Sequence, residues 1–367
     1  MPVEHTKHIK AKSGRYGTVT VQVYSGSGLL LKQISQPMDS FVANWWRVFR
    51  GHLVMESTSK QNLKRISDGT GASQNVFDPY QFHGEADQGF LGVLVGSGNA
   101  PVGIDDWDLD QRIEHGTDPG QLEFNASQQG SDVLNADREC SVQRTMLNNS
   151  GGEVTVREVG MSLATNDFSN IDSTFLAVRD VLEEDAVIPD DGAITVSYTV
   201  RMREGVQMGL WPLFIACSSA NISITRTDGT DRNIGSFTTA AGQEGIDGVN
   251  RRIRLGRGET PAEWDDYVED DLITNGTGDG ELEDGDFDVS SWEVDEENDE
   301  MVFTIEQLYT NQGDEDVTIR EMSIRGRWAT SLSASHLALV TRVVLPSEVL
   351  FTPGRSDFFR FTIRYSL

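Results

Sequence analysis

The chain has 367 residues, of which 58 are Asp or Glu and 30 are Lys or Arg, so its formal net charge is −28. This balance argues against nucleic acid as a partner, because phosphate binding needs a positive field. Two cysteines, Cys140 and Cys217, indicate neither a disulfide framework nor a metal cluster.

The basic residues are distributed unevenly: all six lysines precede residue 65, and the other twenty-four are arginines. Strong acidity costs self-repulsion in dilute buffer. It maintains solubility in concentrated salt, where charges are screened within about 3 Å at 1 M. Scarce lysine with abundant Asp and Glu therefore predicts a protein from a high-salt organism. An acidic protein from an ordinary organism is the alternative.

The N-terminal segment, residues 1–39, predicts an arm that contains a β-hairpin. Strands are expected in "TVTVQVY" and "LLLKQIS", on either side of the turn "SGSG". The segment lacks the apolar run of a signal peptide, and no stretch of the chain approaches the roughly 20 apolar residues of a membrane span. We therefore expect no membrane insertion.

The one helix that the sequence predicts follows the arm, in "MDSFVANWWRVFRGHL". Asp39 or Ser40 can cap its N-terminus. An apolar stripe predicts that the helix is largely buried, and this stripe is formed by Phe41, Trp45, Val48 and Phe49.

Two similar phrases, "NNSGGEVTVREVGM" from Asn148 and "TNQGDEDVTIREMSI" from Thr310, each predict a turn followed by a strand. In both strands the apolar alternation changes phase at an Arg-Glu pair, which indicates a β-bulge that re-aims the following side chains. A catalytic role for the glutamates is the less favoured alternative. We expect each glutamate to pair with a nearby arginine, so the structural residues are Arg157, Glu158 and Arg179, and Arg320, Glu321 and Arg342.

These phrases belong to a longer repeat. Residues from Leu94 match those from Arg254 with an offset of 160, and the offset later becomes 163, which carries Glu158 onto Glu321. The alternating strands "AITVSYTVRM" and "FFRFTIRYSL" then close the two copies. A period this long indicates globular copies rather than a solenoid. We therefore predict an all-β chain with two tandem β-sandwich domains of jelly-roll type, at residues 40–202 and 203–367.

Acidic residues concentrate in the second copy, with nineteen of them and no Lys or Arg from Glu259 to Glu300. Part of this segment, "DGDFDVSSWEVD", is spaced like a calcium loop, but it lacks the central glycine and the evident flanking helices of an EF-hand. A solvated loop that binds Mg²⁺ or Ca²⁺ only non-specifically is preferred, and no cofactor is expected. The weak candidates for a metal site are Asp284, Asp286, Asp288 and Glu293.

Catalytic motifs are missing from the sequence. It contains no G-x-S-x-G, P-loop, H-E-x-x-H or C-x-x-C pattern, and its six histidines show no ligand spacing. Carboxylate pairs for glycoside hydrolysis stay open in so acidic a chain, but nothing singles one out. The sequence therefore predicts a protein that is not an enzyme.

Several motifs of the first copy occur in a characteristic order: "LVGSG", "IDDWDL", "RIEHG", "QLEF", "NNSGGEVTVREVGM", "VRDVL" and "GAITVSYTV". In this order they resemble a family of structural proteins from tailed viruses of bacteria and archaea. Its members read V-G-x-G, an Asp-rich segment, I-x-H-G, a T-V-x-E-V-G phrase, R-x-V-L and a final Y-T-I strand. The resemblance covers most of residues 90–202 and, more loosely, 252–367. Together with the acidity, it implies a component of a haloarchaeal tailed virus.

What the resemblance implies is a non-enzymatic virion protein, made in the host cytoplasm and located at the particle surface. An oligomeric capsid turret, spike or decoration protein is the first hypothesis, and a tail or baseplate component is the runner-up. The expected partners are further copies of the chain, other capsid or tail proteins, and a glycoprotein of the host cell surface. A carbohydrate-binding or carbohydrate-cleaving β-protein is the rival from another class, since fold alone does not decide function.

For a chain with a net charge of −28, we expect molar salt to stabilise the fold and dilute buffer to loosen it. The physical reason is that screening removes repulsion among the acidic side chains. Melting temperatures in about 0.1 M and about 3 M KCl measure the effect. A melting temperature that stays flat between these two conditions would count against a high-salt origin.

Overall fold

β-Strands dominate the computed structural model, so the expected all-β fold is confirmed. The structure describes residues 4–12, 17–38, 41–45, 47, 60–75, 80–134, 137–165, 170–202, 222–225, 231–234, 253–261, 269–289, 293–295, 300–331 and 334–366. The described residues include a 3-10 turn, Ile171–Ser173, which is capped by Asn170, whose side chain accepts a hydrogen bond from the backbone N–H of Asp172.

The first part of the chain forms thirteen strands: β1 Glu4–Lys12, β2 Gly17–Tyr24, β3 Leu30–Pro37, β4 Lys60–Lys64, β5 Gly71–Asn75, β6 Tyr80–Gln81, β7 Gly92–Gly96, β8 Glu123–Phe124, β9 Gln128–Leu134, β10 Asp137–Leu147, β11 Val154–Thr165, β12 Thr174–Ile188 and β13 Ala193–Met202. The second part forms nine: β14 Ile222–Thr225, β15 Asp231–Ile234, β16 Ile253–Gly256, β17 Glu283–Val289, β18 Glu293–Asp295, β19 Glu300–Thr310, β20 Val317–Ser331, β21 Ala334–Phe351 and β22 Ser356–Ser366.

Two larger sheets are built from the described residues of the first part, beside the two-stranded sheet of β4 and β5. Sheet I has the order β3-β2-β13-β10-β8, with β9 also paired to β10, and sheet II has the order β12-β11-β6, with β7 also paired to β11. Alternation in β13 is as the sequence predicts, because Ile194, Val196 and Tyr198 are buried. These side chains belong to the same hydrophobic cluster as Val156 and Phe175 of sheet II, so the arrangement is sandwich-like.

Two more of the larger sheets are built mainly from the described residues of the second part, beside the two-stranded sheet of β14 and β15. Sheet III has the order β1-β22-β19-β17, with β18 also paired to β19, and sheet IV has the order β16-β20-β21. Phe359 and Phe361 of β22 are fully buried, which agrees with the alternation predicted for this strand. Phe359 packs edge-on against Tyr309 of β19, with ring centroids 5.9 Å apart.

Corresponding strands of the two parts begin at the offsets of the sequence repeat. Strand β11 begins at Val154 and β20 at Val317, and each lies between its own short strand, β7 or β16, and its own long partner, β12 or β21. The division into domains at residues 40–202 and 203–367 stays a prediction, because residues 203–221 and 235–252 lie outside the described residues.

The predicted N-terminal arm contributes strands to two different sheets. Strands β2 and β3 form the expected hairpin, and β2 also pairs with β13, which makes the hairpin the edge of sheet I. Strand β1 instead pairs in parallel with β22 over nine residues, from Glu4 opposite Phe358 to Lys12 opposite Ser366. Sequence alternation is local and cannot say which sheet edge a strand will join.

The predicted helix is described only in part. Residues 43–45 and 47 are helical, whereas Val48, Phe49 and the capping candidates Asp39 and Ser40 lie outside the described residues. Phe41 and Trp45 are buried, with their ring centroids 5.4 Å apart, and Trp45 lies 6.0 Å from Phe82. Within the described ranges, no helix has the length and hydropathy to cross a lipid bilayer.

Removal of residues 1–12 tests the role of β1. We expect the backbone N–H groups of β22 that face β1 to lose protection from hydrogen exchange, since the deletion turns β22 into an unpaired edge. Strand β13 is the internal control, because its partner β2 begins at Gly17 and is retained. Unchanged exchange in β22 would contradict the pairing of β1 with this strand.

Candidate functional site

The predicted bulge places a glutamate in the interior. The pairing of β11 with β12 shifts register between Val156 and Glu158, where Arg157 alone lies opposite four residues of β12, Leu182 to Asp185. Glu158 is fully buried, while Arg157 stays on the surface. Such a bulge changes the phase of the strand, and here it turns a carboxylate inward beside Val159.

Four donors surround the Glu158 carboxylate. The backbone N–H groups of Gly98, Asp110 and Gln111 donate to it over 3.2, 3.0 and 2.8 Å. Arg179 of β12 donates through Nε over 2.9 Å, so the two buried side chains form an ion pair. A buried carboxylate needs this many partners, because an unpaired charge in the interior is very costly. We call Glu158, Arg179 and these three N–H groups the first clamp.

Arg179 extends the clamp to the opposite side of the same loop. Its guanidinium donates to the backbone oxygens of Ala100 and Pro101 over 2.9 and 3.2 Å, and to Asp106 Oδ2 over 2.7 Å. Burial alone would lower the pKa of Arg179, but hydrogen bonds and charges from Asp106 and Glu158 outweigh it and raise this pKa. The arginine is therefore held in its charged form. The clamp fixes the Asp-rich loop between β7 and β8.

The two glycines of "VGSG" are explained by the same carboxylate. A Cβ atom on Gly98 would lie 2.6 Å from Glu158 Oε1, and a Cβ on Gly96 would overlap the same oxygen. Only glycine therefore allows the backbone to approach the carboxylate closely enough to donate to it.

A second clamp occupies the matching place in the second part. The register of β20 and β21 shifts between Ile319 and Glu321, and buried Glu321 accepts from Arg342 Nε over 2.6 Å. Glu321 also accepts from the backbone N–H of Asp271 over 3.1 Å, and Arg342 donates to the backbone oxygen of Thr260 over 3.0 Å. A Cβ on Gly256 would overlap Glu321 Oε1, which parallels Gly96.

The six residues singled out by the sequence thus fall into two groups. Four form the buried pairs Glu158–Arg179 and Glu321–Arg342. The other two point outward: Arg157 pairs with Asp185 over 3.1 Å, and Arg320 pairs with Glu348 over 2.8 Å. These outer pairs are well exposed, so they stabilise little by themselves.

A buried asparagine at or next to the start of each repeated phrase was missed as a structural residue. The side chain of Asn148 donates to the backbone oxygens of Gly152, Ile188 and Pro189, and its Oδ1 accepts from Ser150. Asn311 does the same in the second phrase, donating to the oxygens of Glu315 and Phe351 and accepting from Gly313. The recurrence of Asn in both phrases was the available signal. Each asparagine therefore hydrogen-bonds the turn before β11 or β20 to the last residue of β12 or β21.

Arg144 was also missed, because an arginine in an alternating strand reads as a surface residue. It is fully buried and donates to the backbone oxygens of Asn125, Leu91 and Glu85, each over 2.7 Å. Its guanidinium also lies 4.7 Å from the centre of the Phe124 ring. Burial lowers the pKa of Arg144 to about 10, which still leaves it charged at neutral pH.

One acid of the clamped loop has a strongly shifted pKa. Burial raises the pKa of Asp108 to about 6, although Arg112 and the backbone N–H of Leu109 act in the opposite direction. Shifts of this kind occur in catalytic sites and in structural ion pairs. Here Arg112 Nη1 lies 3.2 Å from Asp108 Oδ2, so the group is part of an ion pair.

The four weak candidates for a metal site lie on two strands, β17 and β18, that both pair with β19. Asp284 of β17 is opposite Tyr309, Asp288 is opposite Glu306, and Glu293 of β18 is opposite Val302. The seven residue steps of β19 from Val302 to Tyr309 span about 23 Å at the usual rise of a strand, which is far beyond the size of one coordination sphere. Asp286 and Asp288 are exposed. Among the residues that the structure describes, no group of three His, Cys, Asp or Glu side chains could hold a metal ion.

Searches of protein-family models, of curated proteins and of solved structures found no match to this chain. Its function must therefore be inferred from the residues described above. Both clamp glutamates are fully buried and hydrogen-bonded within the protein. A buried carboxylate that is occupied in this way can position a loop, but it cannot reach a substrate.

The substitution Glu158→Gln tests the first clamp. We expect a loss of about 3 kcal/mol in the free energy of unfolding, because Arg179 stays buried with Asp106 as its one remaining carboxylate partner among the described residues. Urea titration in molar salt measures this loss. The matched control is Asp185→Asn, which breaks the exposed pair with Arg157 and should cost less than about 1 kcal/mol. Equal losses for the two variants would mean that the buried pair has no special role.

Proposed function

We propose that this chain is a non-enzymatic structural protein of a haloarchaeal tailed virus, most simply an oligomeric turret, spike or decoration protein of the capsid. One observation supports the proposal above all others. The residues through which the sequence resembles the virus family are the ones that build the buried clamps and tied turns.

Each motif has a structural task in this chain. Gly96 and Gly98 of "LVGSG" make room for Glu158 of the "EVTVREVGM" phrase, and Arg179 of "VRDVL" completes the ion pair. His115 of "RIEHG" accepts a hydrogen bond from the backbone N–H of Phe124 over 3.1 Å. Motifs whose residues contact one another inside the protein specify a fold, and a fold is what members of a structural family share.

The distribution of charge favours a position at the particle surface. Acidic residues fill the segment from Glu259 to Glu300, whereas the six lysines all precede residue 65. The acidic part suits contact with brine and with a host glycoprotein, and it would repel neighbouring copies in dilute buffer. The lysine-bearing part suits attachment to the shell. A tail or baseplate position is the runner-up, and it would use the same features.

Labelling of intact particles tests this proposal. Antibodies against the chain, applied to purified virus in high salt and imaged by cryo-electron microscopy, should bind at many places on the capsid. Label at one end of the tail only would establish the runner-up position instead. Protein that appears in the infected lysate but never on particles would exclude both positions.

A further inference from the structure

The outer face of sheet I carries no ionisable side chain in three successive rows. A row here is the set of residues that lie opposite one another on neighbouring strands. On sheet I, inward residues such as Val21, Val196 and Met146 are buried, so the residues between them face outward. We call this outward surface the hydroxyl–amide face. It is formed by Thr18, Thr20 and Gln22 of β2, Gln33 and Ser35 of β3, Ser141, Gln143 and Thr145 of β10, and Thr195, Ser197 and Thr199 of β13.

Strand register places these side chains in straight rows. One row runs Ser35, Thr20, Ser197, Gln143, and the next runs Gln33, Gln22, Thr195, Thr145. Neighbours in a row are hydrogen-bonded: Gln22 Nε2 donates to Gln33 Oε1 over 2.9 Å, and the hydroxyls of Thr145 and Thr195 are also 2.9 Å apart. Polar groups that already satisfy one another lose less when water is removed. This face can therefore be covered at low cost.

An apolar row borders the face at the hairpin end. It runs Leu30, Tyr24, Ala193, Leu147 across the four strands, and beyond Leu147 it ends at Glu123 of β8. Leu30 is 45% exposed and Leu147 is 36% exposed, and the adjacent Leu29 and Leu31 are more exposed still. Grouped apolar side chains of this kind usually mark an interaction surface.

The corresponding face of sheet III has a different character. There Arg360 of β22 stands opposite Glu306 of β19, and Arg360 Nε donates to Glu306 over 3.0 Å. Charged pairs therefore occupy the middle of that face. The absence of charge on sheet I is not a property of the repeat, so it calls for an explanation of its own.

We infer that the hydroxyl–amide face, with its apolar border, is the surface through which copies of this chain associate. Two molecules that each carry a net charge of −28 repel each other at most orientations. The repulsion is smallest where neither presents an ionisable group, and the apolar row adds favourable burial there. A basic partner would be attracted to the acidic loops and not to this face. The inference deepens the proposed function and rests on its oligomeric form.

The size of the face sets the expected strength of association. Seven residues of β2 and four strands give a planar extent of about 20 by 20 Å, or about 400 Å². That is about half of what a partner contributes to a standard interface. The exposed leucines must therefore join the contact, and association should need high salt, which screens the surrounding acids.

Two matched substitutions test the inference. Thr20→Glu places a charge in the middle of the hydroxyl–amide face. Thr318→Glu places the same charge on β20, where the threonine is likewise half-exposed between two buried residues. Molar mass is measured by light scattering and sedimentation in about 0.1 M and about 3 M KCl over a range of protein concentrations. A second matched pair tests the apolar border. Leu30→Gln changes a leucine of the border, and the control Leu350→Gln changes an exposed leucine outside it.

We expect the wild-type chain to be oligomeric in high salt, and Thr20→Glu to weaken association at least about tenfold through like-charge contact. Thr318→Glu should behave as wild type, and melting curves verify that every variant is folded. A wild-type chain that stays monomeric in high salt, or equal effects of the two threonine variants, overturns the inference. Loss of binding to a glycan array in Thr20→Glu with unchanged mass would assign the face to carbohydrate instead. Labelling of virus particles is independent of all these outcomes, so the two proposals can fail separately.

Discussion

The buried ion pair of Glu158 and Arg179 is the constraint on which the first pair of sheets depends. Two charges are withdrawn from water there, and this is tolerable only when every remaining donor and acceptor position is filled. The loop after β7 supplies backbone N–H groups on one side and backbone oxygens on the other. An irregular loop whose strand pairing is limited to isolated bridges, such as Gly96 with Arg112, is thereby fixed. The glycines, the bulge and the arginine, which look unrelated in the sequence, follow from this single requirement.

High salt increases the difference in stabilising free energy between buried and exposed ion pairs. Screening acts on exposed charges, such as Arg157 with Asp185, and reaches buried pairs much less. In brine, the surface pairs of this chain would contribute little, while the clamps would keep their strength. The acids on the surface then serve solubility, and the interior provides the stability. This separation explains why a chain with so many acids still places four charged residues of its clamps in the core.

Sequence reasoning found the parts of the structure that depend on local pattern. Alternation predicted the buried face of β13, and the phase break predicted the bulge, because each is a property of consecutive residues. Burial of Arg144 depends on carbonyl groups from three separate segments, which no local pattern contains. The pairing of β1 with β22 could not be predicted from the sequence either. Glu4–Lys12 shows no apolar alternation, and its register is set by a strand more than three hundred residues away. Features that need distant backbone groups are therefore the ones that the sequence did not disclose.

The path of β1 also restricts how the two parts of the chain can be arranged. Strand β1 ends at Lys12 beside Ser366 of β22, and β2 begins at Gly17 opposite Val200 of β13. Five peptide steps from Lys12 to Gly17 reach at most about 18 Å, and each strand pairing adds about 5 Å, so Ser366 of β22 and Val200 of β13 must lie within about 28 Å of each other. Units joined by one linker move freely as a rule. Here the chain that follows β13 is the first connection between the two parts, and the pairing of β1 with β22 is the second. Both start near the end of β13, because β2 begins opposite Val200. In the position proposed for it on a particle, the chain would gain stiffness from this arrangement, because bending would have to break the pairing of β1 with β22.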